Sequence, residues 1–380
     1  DPKLWADICK EFFHHLRSQT PQNIALVLNS LSRLGVRDEA LLEHVASSLN
    51  AAWLRSFNIQ DLALLCHSFA SLAHGAPSLF SLCAEELLWK LPDAGAQELA
   101  LVSGSFSKLR CYDATLFRHI NELTNRLPEG NLGGRHASNI AYACARVDVI
   151  SLPLFRKFAE TLSLPNVVDE LNVAGVVQSF FVIGQMVPRE PRLFSETLPV
   201  LEALARRLVM VVKESSMEPG QIVTVAKSCL RSGAYSSRLV HFLVEQMREV
   251  QVELEESSHA GIAAKSNVVR LKVPRVVLVE FLDAAVVLRQ LIESADSASA
   301  VSEKVAHVPS DGALLDSSLR LALSTLSSND VVFANNQRKA RSVTSERAAE
   351  QRRWDAWDGL LRAWYPEEWR VKWQPPVFSE

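Results

Sequence analysis

Three stretches decide the fold class when they are set one above another: NIALVLNSLSRL at residues 23–34, DLALLCHSFASL at 61–72 and ELALVSGSFSKL at 98–109. Each opens on an amide or acidic side chain, continues with an apolar and then a small residue, and places serine at +7 and Leu or Phe at +8. Weaker copies start at Asn139, Asn172 and Gln221, so the six anchors are spaced 38, 37, 41, 33 and 49 residues apart. Apolar positions at +1, +4, +5 and +8 form one stripe of an α-helix. The +7 serine recurs as Ser30, Ser68, Ser105, Ser179 and Ser228, with Arg146 as the exception.

The start of each helix is marked as well. Three residues before the anchors stand Thr20, Asn58, Gly95, His136, Asp169 and Glu218. Thr, Asn, Asp and Gly suit an N-cap, where a side-chain oxygen or bare backbone accommodates amides without intrahelical partners. Pro21 and Pro219 then fall on the first helical position, where a missing N–H costs nothing. A second apolar helix follows each first one, opening on Leu41-Leu42, Leu79-Phe80, Leu116-Phe117, Leu154-Phe155, Leu193-Phe194 and Leu239-Val240. Four of these pairs stand eighteen residues after their anchor; the other two are displaced by three. Asp38, Ala76, Asp113, Ser151, Glu190 and Ser236 precede them as helix starts. One hairpin cannot bury its own apolar face, whereas stacked hairpins share a continuous core. The expected fold is all-α: a right-handed α-solenoid of about six helical-hairpin repeats with a C-terminal helical extension.

Around this array the chain divides into an N-terminal capping helix (1–19), the repeats (20–250), a degenerate repeat or capping helices with a loop (251–326), and a basic, Trp-rich extension (327–380). Pro274 marks a helix over Val276–Ile292, Ser294–Ala313 has the composition of a flexible loop, and Leu314–Leu326 forms a short helix. Thr344 or Ser345 caps a last helix that ends near Trp364, before Pro366.

Composition narrows the function. The 380 residues are 48% hydrophobic and 22% charged with a net charge of -3, which excludes a disordered chain and a uniformly basic nucleic-acid binder. The nearest pair among the six cysteines is seventeen residues apart, so no C-x-x-C metal or redox motif exists and a reducing compartment is expected. The most apolar stretch, Val276–Leu288, is interrupted by Glu280 and Asp283 and is too short to span a bilayer. The chain begins at Asp1 without methionine, as expected of a mature or trimmed protein. Phosphate-loop, nucleophile-elbow and H-E-x-x-H motifs are missing. His14 and His15 are adjacent and project about 100° apart on a helix, so they share no metal. No enzymatic activity and no cofactor or metal are expected.

Binding remains. Positions +6 (Asn29, His67, Gly104, Ala145, Gln178, Lys227) and +10 (Arg33, Ser71, Lys108, Val149, Val182, Arg231) share a face that the apolar stripe leaves free. The polar members at its ends suit RNA; the apolar middle suits protein packing. In the C-terminal extension Arg338, Lys339, Arg341, Arg347, Arg352 and Arg353 outnumber Glu346 and Glu350, an excess of four positive charges. Trp354, Trp357, Trp364, Trp369 and Trp373 follow. Arginine neutralises phosphate and tryptophan stacks on bases, yet both are also anchors of protein interfaces. The helical spacing of Trp354, Trp357 and Trp364 favours docking on protein, in the same chain or another.

The unit of about 37–38 residues, with its [Asn/Asp/Glu]-[Ile/Leu]-Ala-Leu start, Ser-[Phe/Leu] one turn later and Leu-Phe second helix, resembles organellar α-hairpin RNA-binding repeats. These are the octotricopeptide and heptatricopeptide types and the arrays of FAST-kinase-like and RAP-domain proteins. The resemblance covers residues 20–250 and is clearest in Asn23–Leu34, Asp61–Leu72 and Glu98–Leu109. It implies a protein of mitochondria or chloroplasts, with the mitochondrial matrix as the expected location, acting on transcript stability, RNA processing or ribosome assembly, and some such proteins resemble built-in subunits of the fragmented mitochondrial ribosomes of apicomplexan parasites. The strand-rich RAP module is missing from the Trp-rich tail. The resulting expectation is a non-catalytic subunit of the mitochondrial ribosome that clamps an rRNA segment, with a protein scaffold or a free RNA-processing factor as alternatives. Asn29, Arg33, His67, Lys108, Lys227, Arg231, Arg338, Lys339 and Arg341 are the expected RNA contacts. Trp354, Trp357, Trp364 and Trp369 are the expected partner-docking residues among neighbouring proteins.

Overall fold

The computed structural model describes residues 2–128, 130–164, 166–212, 217–233, 237–259, 275–299, 315, 316, 319, 352 and 355–364. Among them there is no strand. Among the described residues up to Ser299, fifteen α-helices follow one another: α1 Pro2–His15, α2 Pro21–Arg33, α3 Glu39–Ser48, α4 Ala51–Leu54, α5 Ile59–Ser71, α6 Pro77–Lys90, α7 Ala96–Leu109, α8 Ala114–Arg126, α9 Gly134–Arg146, α10 Leu152–Ser163, α11 Val173–Met186, α12 Leu193–Val211, α13 Pro219–Ser232, α14 Ser237–His259 and α15 Arg275–Ser299. The contacts gather into two compact units, Asp1–Val182 with Glu196–Arg207, and Ile183–Ser195 with Leu208–Glu380, so the division passes through α11 and α12.

In the first unit the first helices of successive hairpins pack side by side, α2 on α5, α5 on α7 and α7 on α9, while α1 packs on α3 ahead of them. Side chains cap five of these helices. Thr20 accepts from the Asn23 amide at 3.2 Å, Asp38 from Leu41 at 2.9 Å, Asn58 from Asp61 at 2.8 Å, Asp113 from Leu116 at 2.7 Å and Ser151 from Leu154 at 3.2 Å. Each such cap is worth about 1 kcal/mol. Asn50 does the same for the short α4, which the repeat pattern does not foretell. The stripe residues fill the core: Phe69, Phe80, Phe106, Phe117, Phe155 and Phe158 are almost wholly buried, and Phe80 meets Phe106 edge-on at 4.9 Å. The +7 serines resolve the polarity of this packed face locally. Ser68 donates to the Leu64 carbonyl and Ser105 to that of Leu101, one turn back, so a small polar residue lies inside the stack without an unpaired hydroxyl. Buried Asn121 ties two hairpins together, donating to the Phe117 carbonyl at 2.8 Å and accepting from the Ser151 amide at 3.0 Å.

The fourth and fifth repeats begin elsewhere than the pattern predicts. α9 is capped by Gly133, not His136, and α11 by Asn172, which accepts from the Gly175 amide at 3.0 Å, not by Asp169, which lies in a single 3-10 turn. The anchors, as third helical residues, are therefore His136 and Gly175, and the spacings become 38, 37, 38, 39 and 46 residues. Two independent features confirm the shift. In the turns after α2, α5, α7 and α9 the residue at +12 is left-handed: Gly35, Ala73, Arg110 and Asp148, with φ of 67°, 52°, 58° and 63°. In the same four turns the +13 amide returns to the +8 carbonyl: Val36 to Leu31, His74 to Phe69, Cys111 to Phe106 and Val149 to Cys144, at 2.9–3.0 Å. This is the Schellman closure of a helix end, and it repeats only in the corrected register. All six Leu-led second-helix pairs then stand at +18.

In the second unit α13 and α15 pack broadly on each other. The helix expected over Val276–Ile292 is present and longer; it runs to Ser299, so the first part of the loop expected at Ser294–Ala313 is helical instead. Its apolar side, Leu282 and Ala284–Leu288, is buried. α12 starts at Leu193 rather than just after Glu190. Of the expected helix over Leu314–Leu326, residues 315, 316 and 319 are described and helical; of the last helix, residues 352 and 355–364 are. The expected helix start at Ser236 lies outside the described residues. Cys9, Cys66, Cys83, Cys144 and Cys229 are buried free thiols that pack as small hydrophobes, and burial pushes Cys144 and Cys229 each up to about 12.

Candidate nucleic-acid interface

With the register corrected, the free face of the first helices changes its chemistry. Its +6 rungs are Asn29, His67, Gly104, Tyr142 and Phe181; its +10 rungs on α2 to α9 are Arg33, Ser71, Lys108 and Arg146. The fourth repeat becomes polar: Ala145 is buried and Val149 belongs to the turn, while Tyr142 and Arg146 take the rungs assigned to them, and in the fifth repeat Phe181 replaces Gln178. Val182 is likewise wholly buried.

The rungs of α5, α7 and α9 line a groove of about 560 Å³ that reaches Gln178 of α11 within the first unit. His67 and Ser71 line it from α5, Leu101, Gly104 and Lys108 from α7, Arg135, His136, Asn139, Tyr142 and Arg146 from α9, and Gln178 from α11. No aspartate or glutamate is among the described lining residues. Lys108, Arg135 and Arg146 are exposed, and none has a carboxylate partner among the described residues. Gly104 leaves the floor open, since a Cβ there would meet nothing within 4 Å.

Lys108 and Arg146 stand in the last turns of α7 and α9, where the helix dipole favours a cation. Arg135 stands in the first turn of α9, where the helix dipole disfavours a cation by about 0.3–1 kcal/mol, and the Gly133 cap brings no side chain to the amides there. Burial, and then the Lys108 ammonium, hold the His67 ring below the usual histidine range. Its Nε2 lies 3.3 Å from the Ser71 hydroxyl. The Arg146 guanidinium sits 5.8 Å from the centre of the Tyr142 ring, and that ring meets Phe181 edge-on at 5.1 Å. Clustered cations without counter-charges, one aromatic face and several uncharged polar groups suit an anionic ligand with planar parts.

The predicted contacts divide accordingly. His67 and Lys108 come together in the groove; Asn29 and Arg33, on α2, do not line it. In the second unit Arg231 is exposed on α13, whereas Lys227 is held 3.0 Å from Asp283 of α15. Asp283 also accepts from the Trp357 indole at 3.2 Å, and Trp357 is only 3% exposed. The docking of Trp357 is therefore within its own chain. Trp364 is half-buried, under the Arg289 guanidinium at 4.7 Å. Arg338, Lys339, Arg341, Trp354 and Trp369 lie outside the described residues. Sequence reasoning missed Arg135, Tyr142 and Arg146; the displaced second-helix pairs were the signal that would have found the last two.

Among the described residues no three His, Cys, Asp or Glu side chains are placed to hold a metal ion, and no helix is long and apolar enough to cross a membrane. No protein-family model matches the chain, and a search of curated proteins finds no match.

Proposed function

We propose that this chain is a non-catalytic RNA-associated helical-repeat protein whose α5–α11 groove holds a single-stranded segment. The observation that carries this reading is the trio Lys108, Arg135 and Arg146 converging on a groove without a lining carboxylate. A phosphate backbone supplies the charge those cations lack, and Tyr142 offers a face for a base. A volume of about 560 Å³ is within the ~300–1,000 Å³ of small-ligand sites, so the groove suits a nucleotide or two and not a duplex. The resemblance to organellar α-hairpin repeats supports a setting in the mitochondrial matrix, as a structural subunit of the mitochondrial ribosome clamping an rRNA segment. Continued stacking of the hairpins as a right-handed solenoid belongs to the same proposal. The test replaces Lys108, Arg135 and Arg146 together by Glu in cells. Loss of crosslinked RNA with retained assembly into a large particle supports the proposal. Unchanged RNA crosslinking refutes it and leaves a protein scaffold.

A further inference from the structure

The first helix of the chain repeats an element from inside the array. α1 covers fourteen residues from Pro2, a 3-10 turn follows over Leu16–Ser18, and α2 starts at Pro21. Likewise α6 covers fourteen residues from Pro77, a 3-10 turn follows over Leu91–Asp93, and α7 starts at Ala96. The two turns close alike: the Gln19 amide donates to the Leu16 carbonyl at 3.1 Å, and the Ala94 amide to that of Leu91 at 2.9 Å. Leu16 and Leu91 are equally buried. α1 packs on α3, as α6 packs on α8, so it stands in the row of second helices. Leu4-Trp5 then takes the place of Leu79-Phe80.

What differs is exposure. Leu4 is 53% exposed, whereas its counterparts Leu41, Leu79, Leu116 and Leu154 are at most 1% exposed. On α2 the +3, +7 and +11 residues, Leu26, Ser30 and Leu34, share one face. All three are exposed, Leu26 by 47% and Leu34 by 54%. On α5 and α7 the same positions are withdrawn from solvent: Ser68, Leu72 and Ser105 are buried, and Leu64, Leu101 and Leu109 are half-buried. This face looks to the preceding first helix, as Ser228 at +7 of α13 does where it lies against Gly184 of α11. Inside the array the preceding helix packs on both neighbours, α5 on α6 and α5 on α7. We propose that α1 is the second helix of a further hairpin, and that Leu4, Leu26 and Leu34 seat its first helix, supplied by the residues immediately upstream of Asp1. The link fits in length. Four or five residues separate the two helices of the hairpins α2–α3, α5–α6, α7–α8 and α9–α10, and the same link leads from the seated helix to Pro2. Asp1 stands three residues before Leu4, as Asp38 and Asp113 stand before Leu41 and Leu116. The stack also specifies the occupant: an amide or acidic anchor eighteen residues before Leu4, a small residue at +2, and apolar residues at +1, +4, +5 and +8.

The experiment extends the protein by about 25 residues of its natural upstream sequence, enough for one helix and its turn. Amide hydrogen exchange then compares it with the 380-residue chain. Amides of α1 and α2 are expected to exchange about 10- to 150-fold more slowly in the longer chain, the effect of burying one leucine side chain. The double substitution Leu26→Lys and Leu34→Lys alters exposed side chains of the 380-residue chain. It is expected to leave the unfolding midpoint of that chain unchanged and to remove the added protection in the longer one. An upstream sequence without the stated anchor and stripe, equal exchange in the two chains, or added protection that survives the double substitution overturns the proposal. Protection of α1 and α2 that develops in the 380-residue chain only as its concentration is raised also overturns it, since the seat would then belong to a second copy.

Discussion

Replacing Lys108, Arg135 and Arg146 by Gln removes the charges that line the groove while keeping long polar side chains. If each neutralises one phosphate of a single strand, the logarithm of affinity falls with the logarithm of salt at a slope of about −0.7 per contact, or about −2.1 for three. Between 50 and 200 mM salt this amounts to roughly an 18-fold loss of affinity. Each single replacement lowers the slope to about −1.4, roughly a sevenfold loss over the same range, and the triple replacement brings it near zero. Stability is not the confounding variable. All three side chains are exposed, and such substitutions change stability by about 0.5 kcal/mol or less; removing Arg135 from the first turn of α9 even relieves the dipole. The assay is anisotropy of a short labelled RNA at pH 7.5. A triple variant with the slope of the unsubstituted protein refutes the reasoning, because the phosphates would then be held elsewhere.

Other outcomes test the packing and the titration. A Cβ on Gly184 would lie 2.6 Å from the Ser228 Cα and 2.7 Å from its Cβ, so Gly184→Ala forces two helices apart and is expected to cost about 1–3 kcal/mol in urea unfolding; an unchanged midpoint contradicts that contact. Trp357→Ala empties a buried site and leaves Asp283 with Lys227 alone, at a cost of about 3–5 kcal/mol, which amide exchange over residues 355–364 reports as lost protection. His67 has its pKa below the ordinary 6.5, so the free protein binds fewer protons there than the unfolded chain. The stability it contributes is present above 6.5 and is lost as pH falls through the folded value. A phosphate bound beside Lys108 would oppose the smaller of the two causes of this shift, burial being the larger, so RNA binding is expected to take up a proton. Affinity is expected to rise as pH falls from 7.5 to 6, and His67→Gln to abolish that rise.

The hairpin architecture was legible because three repeats carry every signal at once: cap, stripe, serine and second helix agree at Asn23, Asp61 and Glu98. The register failed where one signal imitated another. Asn139-Ile140-Ala141 copies Asn23-Ile24-Ala25, whereas the true anchor, His136, is followed by Ala137 and capped by a glycine that has no side chain to announce it. Repeat five was slipped the opposite way, because Asn172 is a good anchor residue as well as a good cap. Backbone closure decides between these alternatives, and it leaves little trace in side chains: the left-handed +12 position holds Gly35 but also Ala73, Arg110 and Asp148. The three-residue slip removed Tyr142 and Arg146 from the ladder and put buried Ala145 and turn residue Val149 in their place. The second-unit cation Lys227 was misjudged for a different reason: its partner Asp283 lies 56 residues away, and nothing local to Lys227 reveals it.

The groove itself is open to direct observation. Ultraviolet crosslinking of the protein to its copurified RNA, followed by mass spectrometry of the crosslinked peptides, reports which side chains touch bases. The expected result is a crosslink at Tyr142, within the α9 peptide, that disappears in the Lys108, Arg135 and Arg146 triple variant. Crosslinks confined to residues outside α5–α11, with none on α9, would contradict the assignment of this groove as the RNA-binding site.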